Sequence, residues 1–143
     1  MLAVTEGRLE AEVVRVLPEE ASSWSDDERE RADALLDGHA VVVNVRKDGP
    51  HKHLVPWLLE QDVLTYVGHS GPRHSWPQSD FASPFVSEAK TDREAMVRHY
   101  EQWLDGQPDL LERLRGGELS GRALGCWCAP RACHADVLAH RAR

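Results

Sequence analysis

The chain has 143 residues and a mass of 16.1 kDa, with 41% hydrophobic and 29% charged residues, a net charge of −7 and a mean hydropathy of −0.50. That length is one domain's worth. The composition excludes collagen, a low-complexity chain and a membrane span, since the longest apolar runs fall far short of the ~20 residues a span needs.

The first ten residues hold no apolar core of signal-peptide length, so a cytoplasmic location is expected. Residues 1–38 carry 11 Asp/Glu against 4 Lys/Arg, and the remainder carries 13 of each. The acidic excess is therefore confined to the N-terminal segment. A nonspecific DNA binder would need a basic face instead.

In chain order, residues 12–17 suit a short strand ending before Pro18. Ser25-Asp-Asp-Glu28 is a capping box that opens a charged helix to about Leu36, stopped by Asp37-Gly38. This acidic segment, 1–38, reads as an extension that covers the main domain. Residues 40–45 form a β-branched apolar run, as in a strand buried on both faces. A short helix is predicted around 54–61, and a second buried strand over 63–67. Residues 69–87 make a long loop with three prolines and Trp76, Phe81 and Phe85; connections of this length are usually functional or disordered, and the aromatics argue against disorder. Thr91-Asp-Arg-Glu94 is a second capping box, followed by Met96, Tyr100, Trp103 and Leu104 at helical spacing. Pro108 starts a further helix that Gly116-Gly117 ends. A strand over 123–128 and a helix over 134–141 complete the chain. The order implies an α/β fold: a small open, mostly parallel sheet flanked by helices, Rossmann-like. It forms one domain, 39–143, with the extension before it.

The three cysteines, Cys126, Cys128 and Cys133, fall within eight residues. An odd, clustered set is no disulfide framework. Period two puts Cys126 and Cys128 on one face of a strand, and Cys133-His134 starts a helix. Three sulfurs and an imidazole suit zinc, so Cys126, Cys128, Cys133 and His134 are the candidate ligands; an iron–sulfur cluster is the lesser metal reading. Without metal, Cys133 is the candidate nucleophile, because a helix N-terminus favours a thiolate. His134 and Asp136 complete the candidate catalytic set. The bland alternative is three small buried residues that pack a strand on a helix.

Ligands of open parallel sheets bind beyond the carboxyl ends of the strands. There the predicted strands bring Asn44 and Arg46, Tyr66, Gly68 and His69, and Cys128. The long loop adds Arg73, His74, Ser75, Trp76 and Ser79. The candidate ligand-binding residues are Asn44, Arg46, Tyr66, Gly68, His69, Trp76 and Ser79. Arg46 beside the N-terminus of the last helix favours an anionic or phosphorylated ligand, with Trp76 stacking on a flat group.

The chain resembles domain-of-unknown-function family 4326, a family of bacteria and phages. The resemblance rests on Val43-Asn-Val-Arg46, Tyr66-Val-Gly68, Ser83-Pro-Phe85, Tyr100, Trp103-Leu104, Leu119-Ser-Gly121, Leu124-Gly-Cys-Trp-Cys-Ala-Pro130 and Cys133-His-Ala-Asp-Val-Leu138. It covers about 41–139 and implies that residues 1–38 stand outside the shared domain. It carries no reaction. Two positions depart from the family pattern: His69 stands where the pattern has Arg, and Ser83 where it has Asn.

The expected function is a metal- or thiol-dependent hydrolase or group transferase acting on a nucleotide-like or nucleoside-like small molecule. One alternative is a non-catalytic zinc-stapled module that binds a nucleotide or nucleic acid. A third is a thiol or iron–sulfur redox protein. No membrane partner is expected.

Overall fold

A computed structural model describes residues 17–142. The strand expected over 12–17 falls outside the described residues, save Leu17, which stands in no regular element. The elements are a 3-10 turn Glu19–Ser23, α1 Asp26–Leu36, β1 Val41–Asn44, α2 Leu54–Glu60, β2 Leu64–Tyr66, α3 Val86–Ala89, α4 Arg93–Asp105, α5 Pro108–Arg115, β3 Ala123–Cys126 and α6 His134–Arg141. The three strands form one parallel sheet in the order β1-β3-β2. The fold is thus α/β, with a small open parallel sheet covered by helices. No helix among the described residues is long and apolar enough to cross a membrane.

The pleat sorts the strand residues between two cores, because successive side chains point to opposite faces. Val42, Leu124 and Cys126 face a core built with Met96, Tyr100 and Leu104 of α4, Leu110 and Leu114 of α5, and Val137 and Leu138 of α6. Val41, Val43 and Ala123 face a second core with Leu54, Trp57 and Leu58 of α2. Ala21, Trp24, Ala32 and Leu35 belong to that second core as well.

The described part of the acidic segment therefore packs into a core of the sheet. Among its described residues, Ala21, Trp24, Ala32 and Leu35 are buried against one face of the sheet, and Leu17, Ala34 and Leu36 pack at their edge. Its carboxylates do the rest. The capping box at Ser25 is present, and Glu28 also accepts from the backbone amides of His53 and Leu54, both at 2.8 Å. One side chain thus caps its own helix and the start of α2. Asp27 holds the buried His51 ring, as described below.

Two predicted boundaries move. The second capping box shifts by one residue: Asp92, not Thr91, caps α4 by accepting from Ala95 N at 3.0 Å. The Thr91 hydroxyl is taken by the Glu88 carbonyl at the end of α3. The third strand stops at Cys126 instead of running to 128, because β1 and β2 end beside it and offer no further partners.

Candidate functional site

The three strand ends meet at one edge. Asn44 is in register with Cys126, and Tyr66 with Gly125. Asn44 is buried, and its Nδ2 donates to the carbonyls of Ala129 at 2.8 Å and Trp127 at 3.3 Å. Its Oδ1 accepts from Arg46 N at 2.9 Å. Asn44 therefore ties the loop after β3, which contains a cis Ala129–Pro130 bond, to the end of β1. Behind it, the Asn44 amide donates to His51 Nδ1 at 2.7 Å. That fixes the ring proton on Nε2, which donates to Asp27 Oδ2 at 2.7 Å. Burial pushes the His51 pKa down despite Asp27, so the ring is neutral near pH 7.

The loop brings the three thiols together. Cys133 is buried at the N-cap of α6, where its Sγ accepts from Ala135 N at 3.3 Å and its amide donates to Asp136 Oδ2 at 2.8 Å. Its thiol donates to Cys126 Sγ at 3.5 Å. As the shared donor, Cys133 is pushed far up in pKa by Cys126 and Cys128 and by burial. Cys128 is half-buried and is pulled down to about 6, first by the Cys133 hydrogen bond and then, against burial, by the Arg93 guanidinium. The same Cys133 bond lowers Cys126. Arg93 is held in place by donating to Ala132 O at 2.9 Å.

Several expectations change here. Cys133 is not the accessible, acidic thiol that its place at a helix start implied; Cys128 is. At this helix terminus the capping box takes up the Cys133 and Ala135 amides, and Asp136 N donates to the Cys133 carbonyl. Asp136 serves that cap. His134 is buried on the inner face, where its Nε2 donates to Val67 O at 2.7 Å and its ring lies edge-on to Tyr100. Burial keeps it neutral by lowering its pKa. Among the described residues, no group of three or more His, Cys, Asp or Glu is arranged to hold a metal ion.

Two concavities flank the motif. A pocket of about 250 Å³ is lined by Gly68, His69, His74, Met96, Trp127, His134 and the thiols Cys126 and Cys128. A cleft of about 430 Å³ is lined by Val45, Arg46, Lys47, Asp48, Arg73, His74, Ser75, Trp76 and Trp127. His74 and Trp127, whose ring centroids are 4.7 Å apart, are common to both.

Of the seven candidate ligand residues, Arg46 and Trp76 line the cleft, and Gly68 and His69 line the thiol pocket. Asn44, Tyr66 and Ser79 hold the frame. Tyr66 stacks on Trp76 at 5.2 Å, accepts from Trp127 Nε1 at 2.6 Å and donates to His69 O at 2.5 Å. Gly68 has a steric reason, since a Cβ there would lie 2.6 Å from the Tyr66 hydroxyl. Ser79 pins the long loop by donating its amide to Gly68 O at 3.0 Å and accepting from Phe81 N at 3.1 Å. Sequence reasoning missed Lys47, Trp127 and Arg93. Trp127 was findable as the aromatic residue between the two cysteines of the motif. Arg93 was not, because it reaches the motif from a helix 35 positions before Cys128.

A family model for a domain of unknown function (DUF4326) matches residues 51–143. The chain belongs to this family. The DUF4326 match takes in β2, β3, α2 to α6 and all three thiols; α1, β1, Asn44 and Arg46 lie before it. A phage T4 relative, the "Uncharacterized 12.4 kDa protein in nrdA-td intergenic region" of Enterobacteria phage T4, is 29% identical over 68 residues, covering 42% of this chain and 57% of the phage protein. The chain thus spans a little over half the length of that relative. No solved structure matches.

Proposed function

We propose that this DUF4326 protein is a thiol-dependent enzyme, a group transferase or hydrolase, acting on a nucleotide-like ligand at the C-terminal edge of its sheet. Its nucleophile is Cys128. One observation carries this: Cys128 is the half-exposed member of a three-thiol cluster and lines the 250 Å³ pocket, with Arg93 beside it. A guanidinium and an S–H donor both favour the thiolate, which is the reacting form. Cys128 Sγ attacks an electrophilic carbon of the ligand and displaces a leaving group; water or an acceptor then releases the bound group. Cys133 keeps its proton and orients Cys128. The apolar wall of Met96 and Trp127 limits water around the sulfur.

Alkylation by iodoacetamide tests this, measured against pH on the wild type and on Cys128→Ser and Cys126→Ser. The wild type should show one fast thiol with a midpoint near pH 6, and Cys128→Ser alone should abolish it. Metal analysis of the same untagged protein is the second arm. One zinc per chain with three unreactive thiols would overturn this reading in favour of a zinc-stapled binding module.

A further inference from the structure

The larger cleft adjoins the thiol pocket but differs from it in chemistry. Arg46, Lys47 and Arg73 converge on it against a single carboxylate, Asp48, in a chain whose net charge is −7. All three cations are exposed, and none forms a salt bridge among the described residues. By contrast Arg29, Arg31, Arg113 and Arg141 are each paired with a carboxylate. Three unpaired cations in one concavity favour a dianion, and guanidinium forks match phosphate oxygens.

The rest of the cleft is aromatic and held in place. Trp127 is fixed by its bond to the Tyr66 hydroxyl, and Trp76 by stacking on the Tyr66 ring. A flat ring entering the cleft meets surfaces already ordered, so little side-chain entropy is lost on binding. The volume of about 430 Å³ is that of a small-molecule site. Trp127 and His74 also wall the thiol pocket, so a ligand anchored in the cleft is adjacent to Cys128.

We infer that the cleft binds a nucleoside monophosphate, its phosphate on Arg46, Lys47 and Arg73 and its base against Trp127. This deepens the proposed thiol chemistry by naming the substrate class, and only the reacting end of the ligand rests on that reading.

Calorimetric titration of the full chain with AMP, GMP, CMP and UMP, each paired with its nucleoside, tests the inference. At least one monophosphate should bind about tenfold or more tightly than its nucleoside. Arg73→Glu and Arg46→Glu, both at exposed positions, should each remove that advantage, and added salt should weaken it. Cys128→Ser should bind as the wild type does, so a failure of the thiol chemistry leaves the binding result readable. No binding of any of the four, equal binding of nucleotide and nucleoside, or an unchanged Kd in both charge reversals would overturn the inference. A 5′-phosphorylated oligonucleotide that binds more tightly than every mononucleotide would also overturn it, because the ligand would then be a strand end.

Discussion

Glu28 is 1% exposed, although it lies in the most acidic stretch of the chain. Burial would raise its pKa, but the amides of Ser25, Leu54 and His53 outweigh this and hold it below the usual value. Glu28→Ala leaves the Ser25 and His53 amides without an acceptor and Leu54 N with the His51 carbonyl alone, and should cost about 2–3 kcal/mol, read as a lower urea midpoint at unchanged slope. Two histidines contribute to the pH dependence, beside Cys128, whose lowered pKa acts in the same direction. Burial lowers the pKa of both His51 and His134 in the folded state, so the unfolded chain takes up their protons first. Their contribution is complete above about pH 6.5, the ordinary histidine value, and is lost as pH falls toward the folded values. The melting temperature should therefore drop as pH falls below about 6.5, and His51→Gln should flatten that slope. A profile that is flat in the wild type would show that neither ring is held neutral. The two departures from the family pattern also meet at this scale: His69 Nε2 donates to Ser83 O at 2.5 Å at the rim of the thiol pocket.

Among the elements, α6 shows how one position takes a structural role in place of a chemical one. A Cys-His pair at a helix start reads as chemistry from sequence. In the fold, Cys133 and Asp136 close the helix end on each other, as Ser and Glu do in an ordinary capping box. Asp136→Ala should lower stability by about 1 kcal/mol and leave the alkylation rate of Cys128 unchanged. A loss of the fast thiol in that variant would return Asp136 to the reacting group. The loop between β3 and α6 depends on β1 instead. Asn44 is its clamp, with two carbonyls on one amide. Asn44→Ala should cost about 1–3 kcal/mol and also slow alkylation, since the loop that aims Cys128 loses its anchor. Asn44 was legible as a strand-end polar residue. Its partners were not, because they lie more than 80 positions away.

On the scale of the molecule, the sheet has three strands among the described residues, and helices cover both of its faces. Removing residues 1–38 strips Ala21, Trp24, Ala32 and Leu35 from one core, uncovers Val41 and Val43, and frees the α2 terminus that Glu28 caps. The truncated protein should be insoluble or lose cooperative unfolding, as judged by a thermal melt followed by circular dichroism. A soluble 39–143 fragment with a sharp transition would restore the segment to a mere extension.

Local signals carried most of the architecture. Capping boxes, Pro108, the Gly116-Gly117 stop and the β-branched runs depend on neighbours in the chain, so they place α1, α4, α5, β1 and the helical ends from sequence alone. The parallel sheet followed from the order of elements, and the position of the cysteine motif at its edge from strand ends. What the sequence left open is every property set by distant partners. Cys128 is the acidic thiol because Cys133 and Arg93 approach it, whereas a helix start by itself favoured Cys133. Ala21, Trp24, Ala32 and Leu35 of the acidic segment meet a face of the sheet that its charge pattern could not reveal. The cleft gathers Arg46, Lys47 and Arg73 only because the long loop comes to lie beside the residues that follow β1, and no spacing rule places residue 73 beside residue 46. Burial and convergence are properties of packing, and packing is decided only when the layers close.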